Sequence, residues 1–326
     1  ITKDNDASTT FAVTVGTEAG LTLSVSRDGT DVTSEFTVTD NTGGSYTLTV
    51  ANGVTLTDGV YTVTATDAAG NATDASETFT IDATAPGTPD TAVDLAQGSD
   101  TGTSDTDDTT NDTTPTVRAS LSNTNAAVGD TLEVLLGGAS LTTPLTKVLV
   151  QGDIDAGYVD FTVTDTELGA DGAKVFTAKV TDVAGNVGTA GGSLTVALDT
   201  TAPGKPSISA TAASDNIIDA SEKAAGVSIA INLANTSAVA GDTVEVLLDG
   251  SPFASPITYV LQTSDLESGS ISLTVESDAG WGNDGSKALS ARITDTVGNV
   301  GTASSDLSVT LEAVPPSVVS VLANTA

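Results

Sequence analysis

Along most of the chain apolar residues alternate with Thr, Ser, Lys and Glu. That period of two marks strands with one buried face and one solvated face. One inward row is Tyr61, Val63 and Ala65, matched by Phe176, Ala178, Val180 and by Leu289, Ala291, Ile293. Another is Leu21, Leu23 and Val25, matched by Leu132, Val134, Leu136 and by Val244, Val246, Leu248. Upstream lie Val117, Ala119, Leu121 and Ile229, Ile231, Leu233. These rows are the predicted core. No segment sustains a 3.6-residue period, so helix is limited to a turn or two, with Asp219–Ala224 as the candidate.

The rows recur because the chain repeats itself. Leu198-Asp-Thr-Thr-Ala-Pro203 returns as Ile81-Asp-Ala-Thr-Ala-Pro86 and more loosely as Leu311-Glu-Ala-Val-Pro-Pro316. Asp-x-x-Gly-Asn occurs at Asp67–Asn71, Asp182–Asn186 and Asp295–Asn299. Gly-Asp-Thr-(Leu/Val)-Glu-Val-Leu-Leu occurs at Gly129–Leu136 and Gly241–Leu248. The markers keep one order and a period near 115 residues, which sets units at 1–82, 83–199 and 200–312. Residues 313–326 open a further unit or form a tail, and the first copy is short enough at its start to lack an opening strand. Asp-x-x-Gly-Asn reads as a turn, since Asp caps local amides while Gly and Asn tolerate positive φ. About seven short strands per roughly 110 residues make each unit a β-sandwich.

Composition narrows the chemistry. Only 3% of residues are aromatic, so the cores rest on Val, Leu, Ile and Ala. With no His and no Cys there is no imidazole or thiolate site, no disulfide and no Ser-His or Cys-His nucleophile. The net charge is −33, and 33 of the 43 acidic residues are Asp, which suits turns and offers short oxygen ligands. So acidic a surface repels nucleic acid and anionic lipid. No apolar run is long enough to span a bilayer.

The Asp-Thr-Thr-Ala-Pro linkers, the Thr-Asp-x-x-Gly-Asn turns and the stretch Asp100-Thr-Gly-Thr-Ser-Asp-Thr-Asp-Asp-Thr-Thr-Asn-Asp-Thr-Thr-Pro115 resemble bacterial immunoglobulin-like repeats. Such repeats form the extender regions of giant type I-secreted RTX (repeats-in-toxin) and biofilm-associated adhesins. The resemblance implies an all-β chain of three tandem immunoglobulin-like β-sandwich domains in an elongated array, a bacterial cell-surface location, and calcium around inter-domain junctions. The chain departs from the pattern at Glu312, where the last linker has no Asp, and at Asp215–Glu222, where the third copy opens differently. Ligand sets are therefore expected to vary between junctions.

Sandwich topology says where those ligands belong. Linker Asp82 and Asp199 leave one pole of a domain. They should meet the next domain's turn, Asp182–Asn186 or Asp295–Asn299, and the loop ending in Asp130 or Asp242. From the preceding domain come the first inter-strand loop, with Asp105, Asp107 and Asp112, and the loop before the penultimate strand, with Asp171. Asp67, Asp215, Asp219, Glu222 and Asp284 complete the candidate metal set. Cadherin-type repeats gather calcium ligands from comparable places, by analogy. Calcium takes six to eight hard oxygens in flexible geometry and turns the mutual repulsion of crowded carboxylates into a bond between domains. Magnesium fits less well, because it demands tight octahedral geometry. The Asp105–Asp112 run is not an EF-hand loop, for it lacks the turn Gly and terminal Glu at the required positions.

No catalytic constellation emerges. Asp153 and Asp155 form one of the chance acidic pairs that so many Asp must produce, and Trp281 is expected to cap a core rather than to stack on a sugar. The leading reading is a non-enzymatic, monomeric, calcium-rigidified spacer, extracellular, with its own neighbouring domains as partners. Its strands, at about 3.3 Å per residue, give a rod on the order of 100 Å. The alternatives are a glycan- or peptide-binding module and an accessory region of an extracellular hydrolase.

Overall fold

The computed structural model describes residues 10–14, 20–72, 77–90, 93–210 and 215–315. The expected absence of an opening strand in the first copy concerns residues 1–9, and the tail or further unit concerns 316–326; both lie outside the described residues.

In chain order the strands are β1 (Thr10–Thr14), β2 (Thr22–Arg27), β3 (Thr30–Asp31), β4 (Phe36–Asp40), β5 (Ser45–Val50), β6 (Gly59–Thr66) and β7 (Glu77–Ile81). Then come β8 (Asp94–Leu95), β9 (Thr109–Thr110), β10 (Thr116–Ser120), β11 (Thr131–Leu136), β12 (Ala139–Val148), β13 (Tyr158–Thr162), β14 (Gly172–Thr181) and β15 (Leu194–Leu198). The last group is β16 (Ser207–Ala210), β17 (Ile217–Asp219), β18 (Val227–Asn232), β19 (Thr243–Leu248), β20 (Ser251–Val260), β21 (Ser270–Val275), β22 (Gly285–Thr294) and β23 (Leu307–Glu312). Helices are short: α1 (Gln151–Ala156), α2 (Asp165–Leu168), α3 (Ala220–Ala225) and α4 (Thr263–Ser268). The chain is all-β, built of tandem sandwiches.

By its contacts it divides into two compact units. The first comprises Ile1–Asp94, Thr116–Val163 and Lys174–Thr195. Within it a sheet ordered β1-β5-β4 faces a sheet ordered β3-β2-β6-β7. The alternating rows meet there as expected, with Leu23 opposite Ala65 and Val25 opposite Val63. Their core adds Phe36, Tyr46, Leu48 and Ile81. Further along the same unit, β11 lies between β12 and β14, pairing Leu132 with Val180 and Val134 with Ala178.

The second unit comprises Leu95–Pro115, Thr164–Ala173 and Val196–Ala326. Its main sandwich sets β16-β18-β21 against β17-β23-β22-β19-β20. Ile229, Ile231, Val244, Val246, Leu289, Ala291 and Ile293 are all fully buried in its core. Two departures from simple alternation appear. The pairing register of β11 with β12 shifts between Val134 and Leu135, and that of β19 with β20 between Val246 and Leu247. At these bulges Leu135 and Leu247, assigned by alternation to the solvated face, are buried.

The predicted short helix is α3, whose N-cap Asp219 and third residue Glu222 form a reciprocal capping box. The helices α1 and α4 escape periodicity analysis because six residues cannot show a period. Each is started by an Asp that reaches back to a backbone N–H: Asp153 to Val150 at 3.0 Å and Asp265 to Gln262 at 2.8 Å.

Candidate functional site

Each Asp-x-x-Gly-Asn turn closes on itself. The Asp Oδ1 accepts the backbone N–H of the Asn four residues on, at 2.8 Å in all three copies. Its Oδ2 accepts the Asn side-chain amide at 2.7–2.9 Å. At Asp67 these bonds hold the carboxyl below the usual carboxylate range, the Asn71 side chain contributing most. The Gly takes the left-handed conformation, with φ of 90° at Gly185 and 102° at Gly298, but the Asn does not. The Asn is present for its amide instead. Asn186 Nδ2 donates to the Asp82 carbonyl and Asn299 Nδ2 to the Asp199 carbonyl, each at 2.8 Å. Reading the Asn as a turn former missed this role. The signal was its presence in every copy of a motif that needs only one residue of positive φ.

The linker is also gripped by the repeat it leaves. Asp171 Oδ1 accepts Thr200 N at 3.0 Å and Thr200 Oγ1 at 2.7 Å, and its Oδ2 accepts Thr201 Oγ1 at 2.6 Å. Asp284 accepts the N–H groups of Ala313 and Val314 at 3.1 and 2.8 Å. Asp58, not foreseen, accepts Ala83 N at 2.7 Å and the Thr84 hydroxyl, which together lower its pKa, the hydroxyl most. These carboxylates satisfy linker donors directly.

Past the Asp, the linker beds down on the next repeat. Gly87 N donates to Thr124 O at 2.8 Å and Gly204 N to Thr236 O at 2.6 Å. A Cβ placed on Gly188 would lie 2.7 Å from Pro86 O, and one on Gly301 would strike Pro203 O and lie 2.9 Å from Ile293 O. Only glycine lets the backbone pass there.

Beside each turn sits the Asp of the Gly-Asp-Thr marker. Asp130 is 4% exposed, with Oδ2 accepting Ala127 N at 2.8 Å and Oδ1 accepting Val183 N at 3.2 Å. Asp242 is 1% exposed, and its Oδ2 accepts Val239 N at 2.9 Å. Its Oδ1 is buried without a well-formed hydrogen bond, although the Thr296 backbone N–H lies near enough to favour the charged carboxylate in part. Burial raises the Asp242 pKa, and the charges of Asp295 and Asp199 raise it further. Three carboxylates from a linker, a turn and a core loop thus feel one another at this junction.

A second acidic loop abuts the same turn. Thr103 N donates to Thr296 O at 2.9 Å, which brings the loop from Asp100 to Asp108 against the Asp295 turn. Within it Asp100 is 8% exposed, its Oδ1 also buried without a partner, and its pKa is raised by burial and then by Asp107 and Asp105. Asp100 stood in the quoted stretch but outside the candidate set, because sequence does not reveal which Asp of an acidic run turns inward. Asp107 accepts Thr109 N at 3.0 Å; Asp112 accepts Ser99 Oγ at 2.9 Å and Thr114 N at 2.8 Å. Asp105 receives Gln97 Nε2 at 3.4 Å.

The remaining candidates have local duties. Asp215 accepts Ile217 N at 3.0 Å, Asp219 and Glu222 cap α3, and linker Asp82 and Asp199 accept the N–H two residues on. Among the described residues no three acidic side chains already stand close enough together to enclose a metal ion. Closing on one would therefore require carboxylate rotation. Asp153 binds Lys147 at 2.6 Å, and Trp281, 1% exposed, donates Nε1–H to Glu276 O at 3.0 Å inside the core. No described helix is long and apolar enough to cross a membrane.

Residues 87–200, which carry the Gly129–Leu136 and Asp182–Asn186 markers, match the bacterial Ig-like domain family. Among solved structures, the chain is similar to a Ca2+-stabilized adhesin that helps an Antarctic bacterium reach out and bind ice. That match has 24% identity and a TM-score of 0.46, covering 94% of this chain and 70% of the other. It is also similar to part of a 1.5-MDa bacterial ice-binding adhesin, at 21% identity and TM-score 0.39, covering 94% and 92%. Domains A168–A170 of titin match at 12% identity and TM-score 0.32, covering 95% and 96%. No curated protein matches the chain.

Proposed function

We propose that this chain is a spacer segment of a bacterial surface adhesin: three tandem immunoglobulin-like repeats, extracellular and non-enzymatic, whose junctions are stiffened by Ca2+. The observation that carries this reading is Asp242. Its Oδ1 is buried without a well-formed hydrogen bond, beside the like charges of Asp295 and Asp199, and the Thr296 N–H only partly offsets them. A buried, unpaired carboxylate oxygen among other carboxylates is unfavourable unless a cation or proton joins it. Hard carboxylate and carbonyl oxygens on adjustable loops suit calcium better than magnesium. Asp242, Asp295 and Asp199 would hold the ion, with the Asp199 linker tying one repeat to the next. The equivalent set at the preceding junction is Asp130, Asp182 and Asp82.

The spacer reading gains further support from what repeats. The Asp-x-x-Gly-Asn turn recurs in each copy and the linker Asp in two, whereas Trp281, the sole Trp, is spent in a core. Small-angle scattering and thermal unfolding, each with millimolar calcium and with chelator, test the proposal. Calcium should raise the melting temperature by mass action and lengthen or stiffen the particle. An identical scattering curve and melting point in both buffers would contradict it.

A further inference from the structure

Five Asp-Gly pairs occur in the sequence, and three of them stand at one equivalent place. Gly59, Gly172 and Gly285 each open the strand that runs to an Asp-x-x-Gly-Asn turn, with Asp58, Asp171 and Asp284 just before them. The glycine is dictated by the backbone, for φ is 150°, 124° and 130°, where side chains are rarely tolerated. Each Asp is exposed, and the linker leaving the same repeat binds both of its carboxylate oxygens. The donors are Ala83 and Thr84 for Asp58, Thr200 and Thr201 for Asp171, and Ala313 and Val314 for Asp284. The other two pairs, Asp28-Gly29 and Asp249-Gly250, are hairpin loops between β2 and β3 and between β19 and β20. Their carboxylates accept N–H groups of their own sandwich, Val60 at 3.0 Å and Ala288 at 2.9 Å.

An Asp followed by Gly carries a latent reaction, because no side chain on the next residue obstructs ring closure. The glycine nitrogen attacks the side-chain carboxyl carbon, an N–C bond forms, and a carboxyl C–O bond breaks. The nitrogen's proton leaves with that oxygen as water, giving a cyclic imide. Water then adds at the main-chain carbonyl and breaks its bond to nitrogen, leaving isoaspartate. The water lost is regained, and no other reactant is consumed. The product's main chain is one carbon longer and its carboxylate is displaced, so the linker donors lose their acceptor.

We propose that the three clamp aspartates are isomerisation sites gated by the linker. While the linker is seated, its donors keep the carboxylate ionised, and an ionised carboxylate is a poor electrophile. They also prevent the side chain from rotating to the glycine nitrogen. At Asp58 the Thr84 hydroxyl contributes most to holding the carboxyl below its usual range. Once the linker lifts, ring closure converts a reversible opening into a permanent one. The hairpin pairs are not gated in this way, since their partners belong to the sandwich itself. No ion takes part in these bonds, so the gate is separate from calcium uptake at the junction.

The test is prolonged incubation of the full chain near neutral pH in chelator, with isoaspartate measured at each pair. Chromatography of proteolytic peptides separates the two isomers, which have equal mass. In the folded wild type Asp58 and Asp171 should isomerise at least about tenfold more slowly than in denaturant, since reaction awaits local opening. Thr84→Val keeps the Ala83 N–H and should speed Asp58 about fivefold, the worth of one hydroxyl bond. Thr200→Val with Thr201→Val removes two such bonds and should speed Asp171 by about tenfold or more. Asp28, in the same repeat as Asp58, should not respond to Thr84→Val. Equal rates in folded and denatured wild type overturn the proposal, as do unchanged clamp rates in both variants. A rise at Asp28 as large as that at Asp58 overturns it too, because opening of the whole repeat would then govern the reaction.

Discussion

The two junctions share a scaffold and differ in how a buried carboxylate beside the turn is satisfied. At both, an Asn amide holds the linker carbonyl at 2.8 Å, a glycine lets the Ala-Pro-Gly segment pass, and an Asp of the departing repeat clamps the linker amides. At the first, Asp130 has a backbone donor on each oxygen. At the second, Asp242 has no well-formed hydrogen bond on Oδ1, the Thr296 N–H being only a weak partner, and it feels two like charges. The path of the linker is thus fixed by hydrogen bonds and sterics that involve no ion, whereas the proposed uptake of a cation would depend on how completely one buried carboxylate is already satisfied.

The largest expected effect breaks the shared part. Gly301→Val should destabilise the chain by about 3 kcal/mol and Gly188→Val by about 2 kcal/mol, since backbone oxygens cannot move aside as a side chain would. Denaturant unfolding measures both, and Gly301 should be worse because its second carbonyl, Ile293 O at 2.9 Å, stands closer than Val180 O at 3.1 Å does at Gly188. Next, D130N and D242N should diverge in chelator. D130N loses about 1–2 kcal/mol by presenting an amide to backbone donors, while D242N is neutral or stabilising because it removes an unpaired buried charge. In calcium D242N should in addition lose the ion's contribution and become destabilising relative to wild type. Asn186→Ala and Asn299→Ala should each cost about 1 kcal/mol, equally at the two junctions.

The smallest effect is in pH. The folded pKa of Asp242 is raised, so its penalty is full at neutral pH and is relieved as pH falls toward that value. That of Asp58 is lowered, so its contribution persists above the ordinary Asp range, about 3.9, and is lost only as pH falls below it. In chelator, stability should therefore drift upward as pH falls from neutral toward the carboxylate range on account of Asp242. Melting curves of D242N over the same range should lack that drift.

The repeats, the sandwich class and the inward rows were legible because each rests on a periodic signal, and Leu23, Val134 and Ile293 are buried as alternation requires. Leu135 and Leu247 were not, because a bulge shifts pairing without marking the sequence. The linker Asp and the turn Asp could be assigned to a common pole from topology alone. The Asn amide, Asp58 and Asp100 could not, since what distinguishes them is the partner each side chain finds or lacks: a linker carbonyl for Asn186 and Asn299, Thr84 for Asp58, and nothing for Asp100 Oδ1. The capping role of Asp219 and Glu222 was half-visible, in that the helix was expected and its use of both carboxylates was not.

Calorimetric titration of calcium into the wild-type chain and into D242N addresses the main assertion most directly. The wild type should take up calcium, and D242N should take up one equivalent less while keeping its fold in chelator. Equal stoichiometry in the two proteins, or no uptake by the wild type, would contradict the assignment of Asp242 as the residue that calls a cation to the junction.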